Sequence, residues 1–283
     1  MDIRNIAEKI LQTSIDSISR LHGGDINETF SLHTKHGSFV VKVNLWARFP
    51  EMFQKEKNGL EALRRYSEFR IPKVIAVHEE KGYQFLFLEK IEQGNPKTDF
   101  WDVFGKKLAT MHLHSHEKFG WETDNFMGNR VQKNQWANNW EDFYRDFRIM
   151  PFVRMLRDQH RFDTKDVQLA EKLCVRISDY FPEEPPAFVH GDLWSGNFMT
   201  DETGTPVLID PAVSFSHREM DLALTKLFGG FSEAFYQAYQ RTYPLSSGWE
   251  GRLPVAQLYP LLFHAVAFGG TYVTRCRDIL KRF

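Results

Sequence analysis

Apolar residues recur along this chain with two periods, and the switch between them divides it. Ile3, Ile6, Ile10 and Leu11 fall at helical spacing and predict an opening amphipathic helix. Residues 15–21, 28–33 and 38–43 then read as three short strands separated by Gly-containing turns, an antiparallel meander. A helix over 51–66 follows, and strands over 74–78 and 83–89, joined by the turn 79–82, complete a five-stranded sheet. Apolar character then fades, and Gly94 and Pro96 mark a boundary. Residues 1–90 are expected to form a small lobe and residues 91–283 a larger, mainly helical one, an α+β arrangement.

Beyond the boundary, Phe104, Leu108 and Met111 share one face of a helix running to about His114. Further helices are predicted over 163–181, stopped by Pro182, over 216–228, and over the almost wholly apolar 261–268. The aromatic and amide-rich stretch 119–149 shows little periodicity before Trp140. Two short apolar runs, Phe188-Val189 and residues 206–209, read as adjacent strands, and the linker 201–205 has the composition of a hairpin turn.

With 283 residues, 42% of them hydrophobic and 26% charged, the chain can bury a substantial core and is not disordered. A formal net charge of −1 argues against nucleic-acid binding through general phosphate attraction. No apolar run reaches membrane-spanning length, and the N-terminus lacks a signal-peptide centre, so a cytoplasmic protein is expected. Cys174 and Cys276 are single, far apart and on helical text, as reduced structural thiols would be.

Chemistry concentrates in residues 188–211, FVHGDLWSGNFMTDETGTPVLIDP. His190, Asp192, Leu193 and Asn197 fill the kinase catalytic-loop pattern H-R-D-L-x-x-x-N, with Gly191 in the arginine place and Asp210-Pro211 where D-F-G would stand. Phosphoryl transfer needs position and charge neutralisation more than covalent help. An aspartate must orient the attacking hydroxyl, and a second carboxylate with an amide oxygen must hold Mg²⁺. Upstream, Lys42 alternates with Val41 and Val43 on a strand, and Glu56 on the next helix is its expected partner in a cleft. Gly23-Gly24 lets backbone N–H groups approach phosphates, although hairpins also use such pairs for geometry alone. His112, His114 and His116 have no companion carboxylate or Cys at zinc spacing, so a cationic helix end is expected instead. His264 in apolar text reads as core or as a substrate wall.

HGDLWSGN, together with DPAVSFSHREMDLALTKLFGGF, resembles the fructosamine-3-kinase and ketosamine kinase family, which shares the protein-kinase-like fold with aminoglycoside phosphotransferases. The resemblance runs from Gly23 nearly to the C-terminus and rests most on Trp194-Ser195-Gly196 and HREMDLA. It implies ATP beneath Gly23 and Gly24, with Lys42 and Glu56 at the phosphates and backbone groups near Glu89 and Ile91 on the adenine. It further implies Mg²⁺ on Asn197 and Asp210, Asp192 as base, and Trp194 against the acceptor. His190 and Asp221 would brace the loop. Gln132 and Asn134 are expected on the substrate side. The implied acceptor is the C3 hydroxyl of a free or protein-bound ketosamine, and the implied role is deglycation. Trp194 stands where protein-serine kinases usually carry a lysine, which favours a small-molecule substrate. Asp25 stands where some members carry a redox-active cysteine, so no such switch is expected. Two alternatives stay open: a kinase of another small alcohol, such as an aminoglycoside, choline or an amino acid, and a non-catalytic kinase-like module.

Overall fold

Alternation along two strands decides which faces of the sheet receive helices. The computed structural model describes residues 2–21 and 26–283; Gly23, Gly24 and Asp25 lie outside the described residues. Helix α1 (Ile3–Leu11) is capped by Asp2, whose carboxylate accepts from the Asn5 N–H at 3.2 Å. Strands β1 (Ser17–Leu21), β2 (Glu28–Thr34) and β3 (Gly37–Leu45) form the expected meander; α2 (Met52–Tyr66) then leads to β4 (Val74–Glu80) and β5 (Tyr83–Glu89). The sheet order is β1-β2-β3-β5-β4, so β5 lies beside β3 and β4 takes the edge. Val41, Val43, Phe85 and Phe87 point to one face and bury against Ile6 and Ala7 of α1. Leu86 and Leu88 point to the other, against Met52, Phe53 and Leu60 of α2. Lys42 pairs in register with Leu86, so period-2 alternation turns it towards α2.

The chain after β5 is mostly helical. Helix α3 (Phe100–His112) precedes a small hairpin, β6 (Asn125–Met127) and β7 (Arg130–Gln132). Then come α4 (Trp140–Tyr144), a π-helical turn (Arg145–Ile149), α5 (Met150–Asp158), α6 (Thr164–Val175) and α7 (Ile177–Tyr180). Four short strands follow: β8 (Ala187–Val189), β9 (Phe198–Thr200), β10 (Pro206–Leu208) and β11 (Ser214–Ser216). Helices α8 (Glu219–Phe228), α9 (Glu233–Thr242), α10 (Trp249–Ala256), α11 (Leu258–Phe268) and α12 (Thr271–Arg282) complete the chain. A sheet-bearing N-terminal part and a helical remainder make the two-lobe, kinase-like α+β fold.

Two expectations need correction. The helix expected over 163–181 starts with a capping box between Asp163 and Asp166 but breaks at Arg176 into α6 and α7. The runs at 188–189 and 206–209 are not paired with each other. Strand β10 pairs with β9, and β8 pairs with β11. Residues 201–205 do turn a hairpin, but its first strand is Phe198–Thr200, too short to show periodicity in the sequence. Asp201 ties that turn together, its Oδ1 accepting from the Thr203 N–H at 3.0 Å and the Thr205 N–H at 2.9 Å.

Cys174 and Cys276 are free and buried, and burial pushes both thiols up to about 12. Among the described residues no helix is long and apolar enough to cross a membrane.

Candidate active site

Strand β8 ends at Val189, and the chain must turn sharply to bring Asp192 back into the cleft. Gly191 makes that turn with φ +83°, and a Cβ there would lie 2.0 Å from the Ala212 carbonyl oxygen. No side chain fits, which explains why glycine stands in the arginine place. The loop hangs from Asp221 on α8, 1% exposed, whose two oxygens accept from the His190 N–H at 2.7 Å and the Gly191 N–H at 2.9 Å. Burial opposes the Asp221 charge, but hydrogen bonding to His112 and Gly191 outweighs it and holds the carboxyl below its ordinary range.

His112 corrects an expectation. It is not a solvated helix end but a buried ring, Nδ1 2.8 Å from the Tyr239 hydroxyl and Nε2 3.2 Å from Asp221. His114 and His116 are exposed, as expected of a helix terminus. His190 is buried, and burial lowers its pKa, so the ring is neutral. Its Nε2 donates to the Ile209 carbonyl at 2.9 Å and its Nδ1 accepts from the Asp192 N–H at 3.2 Å. One imidazole thus joins the loop to the segment that delivers Asp210.

The candidate catalytic groups meet here. Asn197 Nδ2 donates to the Asp192 backbone oxygen at 2.8 Å and to Asp192 Oδ2 at 2.9 Å, leaving Asn197 Oδ1 free of both contacts. Burial pushes the Asp192 carboxyl up to about 7; the Asn197 bond opposes the rise, and Asp210 and Asp221 add to it. Asp210 adopts φ +53°, a left-handed conformation unusual for a residue with a side chain. Lys42, 9% exposed, reaches Glu56 Oε1 at 2.7 Å and Asp210 Oδ1 at 2.5 Å. Burial acts to lower the Lys42 pKa, but the two carboxylates overcome it and hold the ammonium charged. A sheet lysine, a helix glutamate and an aspartate 168 residues away in sequence therefore form one ion-paired unit.

Lys42, Glu56, Asp192, Trp194, Asn197 and Asp210 all line one cleft of about 530 Å³. Glu89 and Ile91 do not. The Glu89 carboxylate pairs with Arg70 at 2.9 Å, and its N–H donates to the Lys73 carbonyl. The buried Ile91 has no partner for its N–H among the described residues. Gln132 and Asn134 are not cleft residues either, which corrects their placement on the substrate side. Gln132 Nε2 donates to Asn125 Oδ1 and the Ala212 carbonyl, and its Oε1 accepts from the Tyr259 hydroxyl at 2.6 Å. Asn134 bonds the Thr123 carbonyl, Asn125 and Arg148. Gln132 thus ties the β6–β7 hairpin to the Ala212 backbone and to α11, while Asn134 ties it to Thr123 and Arg148.

That hairpin went unpredicted, yet Asn125 to Arg130 form one wall of the cleft. Gly128-Asn129 between short flanks was the available signal, since such a pair turns tight hairpins. Helix α11 supplies the facing wall through Phe263, His264 and Phe268, with Phe228 beside them. His264 is half-buried wall, not core; Nδ1 donates to the Pro260 carbonyl at 2.7 Å, which leaves Nε2 as an acceptor. Trp194 is 39% exposed, lies across Gly196 and meets Phe228 edge-on at 6.1 Å.

The donor set suits a hard cation. Asp210 and Asn197 offer only oxygens, and among the described residues no group of three or more His, Cys, Asp or Glu could hold a metal. Mg²⁺ is commonly held by one or two protein oxygens plus waters and substrate phosphates, so these residues fit it.

The fructosamine kinase family model matches residues 2–283. A probable ketoamine kinase of Synechocystis is 35% identical over 99% of this chain and 96% of its own. The chloroplastic protein-ribulosamine 3-kinase of Arabidopsis thaliana is 34% identical over 96% of this chain and 83% of its own. Among solved structures, a Thermobifida fusca protein assigned as a fructosamine-3-kinase superposes with TM-score 0.87 at 29% identity, covering 99% of this chain and 97% of that one. A hygromycin-bound aminoglycoside phosphotransferase, 19% identical with TM-score 0.65, shares the fold. With the catalytic loop, the Lys42–Glu56 pair and near-full coverage agreeing, the chain belongs to the fructosamine kinase family and is a kinase that phosphorylates a hydroxyl group.

Proposed function

We propose that the protein transfers the γ-phosphoryl group of ATP to the C3 hydroxyl of a ketosamine. The observation that carries this reading is the convergence of Lys42, Glu56, Asp192, Asn197 and Asp210 on one cleft whose other end is aromatic. The small lobe, residues 1–90, takes the nucleotide, with backbone groups near Glu89 and Ile91 on the adenine. Lys42 binds the phosphates while Glu56 fixes its position. Asp210 and Asn197 would hold Mg²⁺, which would supply charge neutralisation on the phosphate oxygens. Asp192 accepts the proton of the attacking hydroxyl as the O–P bond forms and the β–γ bridging bond breaks, releasing ADP. Asp221, His112 and His190 position the loop without touching substrate.

The acceptor lies against Trp194, whose indole face suits the C–H surface of a sugar. A phosphate at C3 labilises the sugar–amine linkage, so the activity removes glycation from amines or proteins in the cytoplasm. The reading is tested with MgATP and a panel containing fructosyl and ribulosyl amines, an aminoglycoside, choline and a hydroxy amino acid. Ketosamines alone should be turned over efficiently; preference for any other alcohol refutes the assignment.

Two variants separate the two ends of the cleft. Trp194→Ala should lower kcat/KM for the acceptor by an amount equivalent to roughly 1–3 kcal/mol and leave ATP affinity unchanged. A sharp fall in melting temperature with the acceptor KM untouched would make Trp194 a packing residue instead. Asp210→Asn removes one of few anionic oxygens available to Mg²⁺ and should weaken MgATP binding. Calorimetric titration giving wild-type MgATP affinity would contradict that role.

A further inference from the structure

We propose that Arg130 builds an anion subsite at the acceptor end of the cleft, and that the acceptor this protein takes carries a carboxylate beside its glycated nitrogen. This rests on the ketosamine reading above and narrows it. Strand alternation places Arg130 on the same face of β7 as Gln132, with Val131 turned out and half exposed. Gln132 reaches inward to the Ala212 carbonyl and Tyr259, so Arg130 continues that face into the cleft, which it lines. The hairpin tip is seated on α11: Gly128 has φ +55°, and a Cβ there would lie 2.5 Å from the Phe263 ring. The tip two residues before Arg130 therefore meets the aromatic wall formed by Phe263 and His264.

Its guanidinium is spare. Other arginines removed from solvent are engaged: Arg148 by Asn134 and the Lys133 carbonyl, Arg218 by Glu184, Arg252 by Glu219, and Arg277 by Asp166. Among the described residues Arg130 makes no ion pair or side-chain hydrogen bond, and its Nε is shielded from water without a partner. A shielded donor without an acceptor is costly, and one that lines a substrate cleft calls for a ligand atom. The three acids of the cleft do not answer it. Glu56 and Asp210 are held by Lys42, and Asp192 is hydrogen-bonded to Asn197. Lys55 also lines the cleft and adds a second positive charge, its Nζ donating to the Asp124 carbonyl at 2.8 Å. Among the described residues that line the cleft, no free carboxylate is left to recognise a cationic amine tail. The planar fork of a guanidinium matches a carboxylate in two parallel hydrogen bonds. A glycated amino acid with its carboxylate free meets that description, and a glycated neutral amine does not.

Fructosyl-glycine and fructosyl-glycinamide differ by that charge alone. Wild type should take the acid with a KM roughly 10–100-fold below that of the amide, the scale of a lost charge-assisted hydrogen bond. Arg130→Gln should erase this difference by raising the KM of the acid only, with the KM values of amide and ATP and the melting temperature unchanged. Arg130→Lys should restore part of it. Equal losses for acid and amide, a raised ATP KM, or no wild-type preference would each overturn the subsite. Calorimetric titration of the same two compounds needs no turnover. If wild type phosphorylates neither, the ketosamine reading falls, and a carboxylate-dependent affinity abolished in Arg130→Gln still upholds the subsite, whereas its absence overturns it.

Discussion

Asp192→Asn should fold and bind nucleotide as wild type does but lose ~10²–10⁴-fold in kcat, the range that a positioned general base contributes. The substitution is nearly isosteric and keeps an oxygen for the Asn197 Nδ2 donor now 2.9 Å from Asp192 Oδ2. It removes the proton acceptor and nothing that touches Lys42, which is paired with Glu56 and Asp210. Steady-state rates on the best acceptor, beside ATP titration and a melting curve, separate the possibilities. Unchanged melting and ATP affinity with turnover nearly gone is the expected pattern; turnover within a few-fold of wild type would exclude Asp192 as the base.

Asp221→Ala should act through stability. Three donors converge on this one buried carboxylate: the N–H groups of His190 and Gly191, and the ring of His112. Alanine leaves all three in a space closed to water, and removing one partner of a buried charged cluster typically costs roughly 3–5 kcal/mol. For a chain of this size that corresponds to a drop in Tm on the order of 10 °C. Turnover should fall in the surviving folded fraction as well, because the loop carrying Asp192 loses its anchor. Asp221→Asn keeps the side-chain volume and one acceptor, so its loss of Tm should be smaller. A melting temperature within about 2 °C of wild type for the alanine variant would show that the loop is held by something else.

The parts of this site legible in the sequence were those whose spacing is local. Asp192 and Asn197 lie in one loop, and the alternation of Val41, Lys42 and Val43 is short-range. The Lys42–Glu56 pair spans 14 residues, but a strand-then-helix unit constrains it. The five strands of the sheet were legible because Gly-containing turns interrupt clear apolar runs. Strands β6 to β11 have three residues each, too few to carry a measurable period; β8 and β10 showed only as apolar runs, and β6, β7, β9 and β11 not at all. Their pairing is fixed by tertiary contact: β8 chooses β11 because Phe188 and Phe215 pack together at 5.7 Å, a fact absent from either segment alone. His112 was legible in principle. It stands four residues after Leu108 and one after Met111, on the apolar face of α3, and its helix face should have outweighed its resemblance to the exposed histidines beyond it. Arg130 carried no signal, because an arginine in amide-rich text looks solvated until the hairpin folds around it.

The most direct measurement of the central claim is where the phosphate goes. ³¹P NMR of a reaction containing the protein, MgATP and fructosyl-glycine should show ADP and a phosphomonoester coupled to the proton on C3 of the sugar. That signal should then decay to inorganic phosphate as free glycine accumulates. A phosphomonoester on any other oxygen, or ATP consumption that yields only inorganic phosphate while the ketosamine stays intact, would contradict the account.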